Sequence, residues 1–379
     1  MGKRGRGGVC MKIALVHDYI KEFGGAERVL RTLSDMYPKA PIYTAFRVKG
    51  SECDKAFKDR EIRESFLAPL LKIWKLYSPL RFLTPLVWRS MDLSEFDLVI
   101  TSASWYITRG FKVSENTKVI CYCHTPPRYL YGYDTSINLQ KYWPVKIYAW
   151  VVNHFLRLYD AWAAETVDVW IANSLNVAGR INKFYRKNAI VIYPPLNVER
   201  FVEESRGVKK KDYFLIVSRL VGNKGLEEAA KAARKEGFKL KISGSKTGLS
   251  GIFERLEKLG GNKVELLGRV DDNKLVKLYA EAIGFIALAR DEDFGITPIE
   301  AMASGTPVIA FNGGGFKESV VDGVTGILID DTSEETIGKA VKKIINTRWN
   351  KNKLQRQARM FSRERFEKEI REVCRNYQR

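Results

Sequence analysis

Residues 284–304 read GFIALARDEDFGITPIEAMAS. The first six form a continuous apolar run of strand length, and a run without polar alternation belongs in a sheet covered on both faces. A polar turn containing Gly295 follows. Thr297-Pro298-Ile299-Glu300 then has the form of a capping box with proline at the first helical position. Strand, polar loop and helix in that order predict a unit of an α/β domain with a parallel sheet.

The same rhythm extends in both directions. Tyr213–Val217, Lys239–Ile242, Val264–Leu267 and Pro307–Phe311 are short apolar runs, separated by segments of helical length. Towards the N-terminus, Lys12–His17 (KIALVH) is another such run. The glycine pair Gly24-Gly25 follows it, then helical spacing over Ala26–Met36, and further strand-like runs lie at Asp97–Thr101, Lys118–Cys123 and Val169–Ala172. The adjacent prolines Pro194 and Pro195 interrupt the pattern and mark a linker. The expected organisation is a flexible basic tail (1–10), a first doubly wound domain (11–195), a linker (196–210) and a second doubly wound domain (211–361). A closing helix (362–379) is expected to pack back on the first domain. In such sheets ligands sit beyond the carboxyl ends of the strands, so a cleft between the two domains is the expected site.

Lys and Arg number 64 against 44 Asp and Glu, a net charge of +20, which calls for an anionic partner: phosphorylated substrate, acidic lipid surface or nucleic acid. Five cysteines form no disulfide or zinc framework; Cys121 and Cys123 lie in a strand-like run with no second pair, and they read as apolar fillers in a reducing compartment. No run approaches the roughly 20 apolar residues of a membrane span. The expected location is cytoplasmic, peripheral on the inner face of the cell membrane.

The chemistry is expected in the loop 290–304. Glu300 alone reads as a cap of its own helix, but Glu292, eight residues earlier, has no such explanation. Main-chain N–H groups flanked by two carboxylates suit a diphosphate with hydroxyl-bearing groups on either side, as in a nucleotide sugar.

Glu292-x7-Glu300, with Phe294-Gly295 inside it, resembles the E-x7-E motif of the family 4 glycosyltransferases, which are retaining enzymes of the GT-B fold. Gly24-Gly25-Ala26-Glu27 resembles that family's N-terminal glycine loop. Ser218-Arg219-Leu220 with Lys224-Gly225 resembles its phosphate-binding pair, and Gly268-Arg269-Val270 the turn that meets the base. His124-Thr125-Pro126-Pro127-Arg128-Tyr129, with HDYIKEFGGAERVL near the start, is similar to O-antigen-type mannosyltransferases. The resemblance spans nearly the whole chain from Met11.

It implies a role for each residue. Arg219 and Lys224 would stabilise charge on the departing nucleoside diphosphate, Glu292 would face the transferred hexose, and Glu300 would bind the ribose. Gly24 and Gly25 would sit against the donor. Main-chain N–H groups of Phe294, Gly295, Ile296 and Thr297 would meet sugar or phosphate, and Arg269 and Val270 would hold the base. His124 would contact sugar or acceptor at the reaction centre, although a strand-end histidine satisfied by backbone is an equal reading of the residue itself. His17 and His154 have weaker claims. The family is thought to react on one face of the sugar, the leaving phosphate helping to deprotonate the acceptor. By resemblance the donor is GDP-mannose and the acceptor lipid-linked or an oligosaccharide. Asp291-Glu292-Asp293 is formally a D-x-D metal motif, but in this context no metal or other cofactor is expected.

Residues 63–89 and 141–159 combine aromatic with basic residues, as at a headgroup interface, although ordinary helix packing with cationic outer faces explains most such stretches. Two alternatives remain open: another activity on the same fold (a nucleotide-sugar epimerase or a phosphorylase), and a non-enzymatic nucleic-acid-binding protein. The second has only charge in its favour, with no recognition motif.

Overall fold

A computed structural model describes residues 11–73, 77–133, 143–245 and 251–376. The basic tail 1–10 lies outside them, as do Trp74, Lys75 and Lys141. The first half supplies strands β1 (Ile13–His17), β2 (Ile42–Thr44), β3 (Ile62–Glu64), β4 (Leu98–Ala103), β5 (Lys118–Cys123), β6 (Val169–Ala172) and β7 (Ala189–Val191). They form one parallel sheet in the order β3-β2-β1-β4-β5-β6-β7. The second half supplies β8 (Lys211–Val217), β9 (Leu240–Ser243), β10 (Val264–Gly268), β11 (Ala282–Ala287), β12 (Val308–Phe311) and β13 (Gly326–Ile329), in the parallel order β10-β9-β8-β11-β12-β13.

Both sheets are covered twice, which is why their strands read as unbroken apolar runs. In the first, Ala14 and Val16 face one core with Val99 and Trp170, while Leu15 faces the other with Ile100 and Ile120. In the second, Leu215 and Phe285 face one core, Phe214 and Ile286 the other. The chain is two doubly wound Rossmann-like domains.

The segment 196–210 is not a free linker. It forms the helix Val198–Glu204, whose Val198, Phe201 and Val202 are buried with Leu196 in the second domain's core. The prolines end β7's excursion, but apolar residues directly after them dock at once. The chain returns at Phe361–Arg363: Leu196 donates to Phe361 O (3.0 Å), and Arg363 donates to Leu196 O (3.1 Å). The helix Arg363–Asn376 then inserts Phe366, Ile370, Val373 and Cys374 into the first domain's core. The two crossings between domains are thus hydrogen-bonded to one another.

Candidate active site

The loops beyond the carboxyl ends of the two sheets meet. After β11, residues 288–296 lead into the helix Thr297–Ala303. Glu292 accepts a hydrogen bond from Lys224 at 2.6 Å, and Lys224 sits in the single turn Gly222–Lys224 after β8. Burial raises the Glu292 carboxyl, but Lys224, Arg128 and Arg219 outweigh it, so its pKa stays below the ordinary value. The acidic and cationic turns of the second domain therefore converge, with Arg219 exposed beside them.

Gly295 has a φ of +81°, and a Cβ there would lie 2.3 Å from the Phe316 ring, so both conformation and space demand glycine. Phe294 is buried against Tyr193 and Phe361, which pins the turn. Among the described residues, none of the N–H groups of Phe294, Gly295, Ile296 and Thr297 finds a hydrogen-bond partner.

Glu300 does not cap its helix. Ile296 occupies the N-cap position with no side-chain cap bond, and Pro298 is the second helical residue, not the first. The Glu300 carboxylate, 2% exposed, instead accepts from Arg28 (2.6 Å) and from the Tyr279 hydroxyl (2.7 Å). A guanidinium and a buried hydroxyl are better partners for a buried carboxylate than one exposed main-chain N–H. Arg28 comes from the first domain, one residue after the Gly24-Gly25-Ala26-Glu27 loop. The structure thus joins Glu292 to Lys224 and Glu300 to Arg28.

The formal D-x-D carboxylates have their own partners. Asp291 and Asp293 each pair with both Arg128 and Arg180 of the first domain. Arg180 also donates to Thr125 Oγ1 (3.1 Å), tying the His124-Thr125 turn to this cluster. Glu318 accepts from the N–H groups of Leu175 (2.7 Å) and Asn176 (3.0 Å), a carboxylate at the N-terminus of the helix Leu175–Tyr185. The Arg269 side chain pairs with Glu52 of the first domain at the exposed edge, and Val270 packs against the second core.

His124 lies at the end of β5, 8% exposed, its Nε2 2.8 Å from Ser102 Oγ. The same hydroxyl lies 3.1 Å from His17 Nδ1, which is also 3.0 Å from the Ser102 carbonyl. His17 Nε2 is 3.4 Å from Glu27, whose other oxygen accepts from Gly24 N–H at 2.9 Å. A carbonyl and a carboxylate can only accept, so both His17 nitrogens donate. Burial opposes its charge, but Glu27, Asp18 and the Ser102 carbonyl together raise its pKa above 6.5. Ser102 then accepts from His17 and donates to His124 Nε2, which leaves the proton of His124 on Nδ1. Burial, with His17 adding to it, lowers the His124 pKa to about 3, so the ring is neutral. Sequence reasoning ranked His17 low and missed Ser102, Arg28 and Arg180; only Arg28 carried a signal, its position directly after the glycine loop.

Two facing Rossmann-like domains, with this convergence of loops between them, define the GT-B fold. The family model for Glycosyltransferase Family 4 matches residues 23–200 and that for Glycosyl transferases group 1 matches residues 197–361. The chain belongs to the glycosyltransferases that these two models describe. An alpha-1,3/1,6-mannosyltransferase of Dictyostelium discoideum is 26% identical over 64% of this chain and 66% of its own. The O-antigen chain mannosyltransferase RfbU of Salmonella typhimurium is 27% identical over 63% and 68%. Among solved structures, Anabaena HepE in complex with UDP and glucose covers 96% of this chain and 99% of its own, with a TM-score of 0.67 at 17% identity. The sucrose-phosphate synthase of Thermosynechococcus elongatus gives 0.69 at 16%, over 97% and 99%. These last two establish the fold.

Proposed function

We propose that this glycosyltransferase is a retaining enzyme that moves mannose from GDP-mannose to a lipid-linked or oligosaccharide acceptor in cell-surface glycan synthesis. It works without a metal ion, at the cytoplasmic face of the membrane. The observation that carries the reading is the Lys224–Glu292 pair beside four main-chain N–H groups (294–297) that have no partner among the described residues. A sugar diphosphate needs cations for its phosphates, N–H donors for its oxygens and a carboxylate for its hydroxyls. Support for mannose comes from the mannosyltransferases of Dictyostelium and Salmonella.

In the proposed step the bond from C1 of the hexose to the diphosphate oxygen breaks, and the acceptor oxygen bonds to C1 on the same face. The acceptor's proton passes to the leaving phosphate. Lys224, with three donors, can hold Glu292 and a phosphate oxygen together, and Arg219 adds a second cation where charge accumulates. The Nδ1–H of neutral His124 is a fixed donor for a sugar or acceptor oxygen. Gly25 supports a donor seat at the first domain's loop. It has no positive φ, and a Cβ there would have no neighbour within 4 Å, so nothing in the fold itself asks for glycine.

A thermal-shift screen of nucleoside diphosphates and their sugar conjugates tests the reading, and no response to any of them overturns it. Glu292→Gln is expected to lower kcat about a hundredfold with nucleotide affinity little changed. Glu300→Gln is expected to weaken nucleotide binding about tenfold. Normal turnover by the Glu292 variant removes that residue from the site. A product of inverted anomeric configuration, or activity lost in chelator and restored by manganese, refutes the corresponding part.

A further inference from the structure

The turns after β1 and β2 are joined: Ile20 donates to Phe46 O (3.0 Å), and Val48 donates to Ile20 O (2.8 Å). Between them and the residues Lys72 and Tyr77 lies a cavity of about 420 Å³. Phe46, Val48 and Tyr77 line it with apolar surface, together with the cationic residues Lys21, Arg47, Lys49 and Lys72. The volume is within the range of small-molecule sites, and none of the residues proposed for the donor lines it.

Its electrostatics favour an anion. Glu64 takes Lys72 at 3.0 Å but lies 3.7 Å from Arg47, as does Asp54, and Arg47 Nε is buried without a hydrogen-bond partner. Lys21 donates to the Tyr77 hydroxyl (2.8 Å) and meets Glu22 at 3.2 Å. Lys49 has no ion pair among the described residues. Four cations thus share three carboxylates, beside an apolar wall. A neutral sugar does not call for the cations, and a bare phosphate does not use the wall. A molecule with a phosphate on an apolar chain uses both.

The surroundings agree. Inward, Tyr19 stacks on Phe46 (centroids 5.2 Å apart), two residues from His17 of the chain leading to His124; Lys21 is three residues from Gly24. Outward, the segment that supplies Lys72 exposes Phe66, Leu70 and Ile73, a path along which an apolar chain can leave.

We infer that this cavity binds the phosphate-bearing end of an amphiphilic acceptor, its chain against Phe46, Val48 and Tyr77 and its phosphate among Lys21, Lys49 and Lys72. Its role as acceptor rests on the transferase reading above; the binding site itself does not. Calorimetric titration of the full chain with octyl phosphate below its micelle concentration tests it, with octyl glucoside and inorganic phosphate as separate arms. Octyl phosphate is expected to bind saturably, and each control about tenfold or more weakly. Val48→Trp, which fills the cavity, and Lys49→Glu, which reverses an unpaired charge, are each expected to weaken octyl phosphate about tenfold with nucleoside diphosphate binding unchanged. Equal binding of octyl phosphate and octyl glucoside, or unaltered binding by a folded Lys49→Glu protein, overturns the inference. Octyl phosphate binding without any response to nucleotides refutes the transferase reading and leaves the site standing.

Discussion

Glu27 accepts from Gly24 N–H with one oxygen and faces His17 with the other, so one carboxylate ties the glycine loop to the chain ending at His124. That chain has a consequence in acid. His124 in the fold titrates near about 3, its unfolded counterpart near 6.5, so its contribution to stability is present above 6.5 and lost as pH falls through that window. His17 is shifted the other way: its contribution is complete below 6.5 and is lost as pH rises through its raised folded value. Below 6.5 the His17 contribution is therefore constant and cannot mask that of His124. His124→Asn is expected to flatten the acid-side fall of stability by up to one proton, about 1.4 kcal/mol per pH unit. Denaturant titrations of wild type and variant from about pH 4 to 6 measure the difference. Equal slopes mean that His124 titrates normally in the fold. At this scale the sequence was legible only where partners are near in the chain. Glu27 stands three residues from Gly24, whereas Arg28 and Glu300 are separated by 272 positions. The pattern Thr297-x-x-Glu300 matched a cap, but pairing of the buried Glu300 carboxylate with the half-buried Arg28 guanidinium prevailed over it.

The long buried strands were readable because both faces of each sheet are covered, which removes the polar alternation. Of the unread strands, β2, β3 and β7 are three residues long, too short for any period to show, and β3 and β7 are only half-buried; β13 is as long as β6, β9 and β12, so its length does not explain why it was missed. The glycine loop shows a different limit, since its glycines are legible while the reason for them is not. Gly25 opens the helix Gly25–Met36, where alanine is the better helix former. Gly25→Ala is expected to keep or slightly raise Tm and yet lower transfer about tenfold or more; full activity in that variant removes the loop from the donor site. The helix Trp143–Glu165 poses the reverse case. Trp143 and Trp150 are each 74% exposed, and Ile147, Phe155, Leu158 and Trp162 continue the exposed stripe. Arg81 and Arg89 lie over the rings of Tyr148 and Trp162, placing cations at its margin beside the exposed Phe82 and Leu86. No helix among the described residues is long and apolar enough to cross a membrane. An apolar stripe with basic margins suits a helix lying in the plane of an anionic leaflet. Sedimentation with vesicles should show binding to anionic over neutral lipid, reduced by Trp150→Glu. Indifference to lipid charge counts against the assignment.

Across the whole molecule, the loops proposed to hold the donor are also those that hold the domains together. Arg28 takes Glu300, Arg128 and Arg180 take Asp291 and Asp293, and Glu318 takes the N-terminus of the helix Leu175–Tyr185. Each domain has its own cores, so these ionic contacts and the C-terminal helix, rather than a shared apolar interior, couple the two. Arg180 is 5% exposed, and Asp291 and Asp293 are 36% and 22% exposed. Their contribution should therefore fall between the ~1 kcal/mol of an exposed pair and the roughly 3–5 kcal/mol cost of breaking a buried one. Asp291→Asn with Asp293→Asn removes both carboxylates without changing side-chain size. Scanning calorimetry is expected to show one transition for the native chain and two for the variant, the earlier one several degrees lower. Nucleotide binding tests the other half of the coupling. A ligand gripped by both domains should draw the two transitions of the variant together as its concentration rises, because it binds only the joined form. Two transitions in the native chain would place the coupling elsewhere; a ligand that shifts only one would place the donor on a single domain.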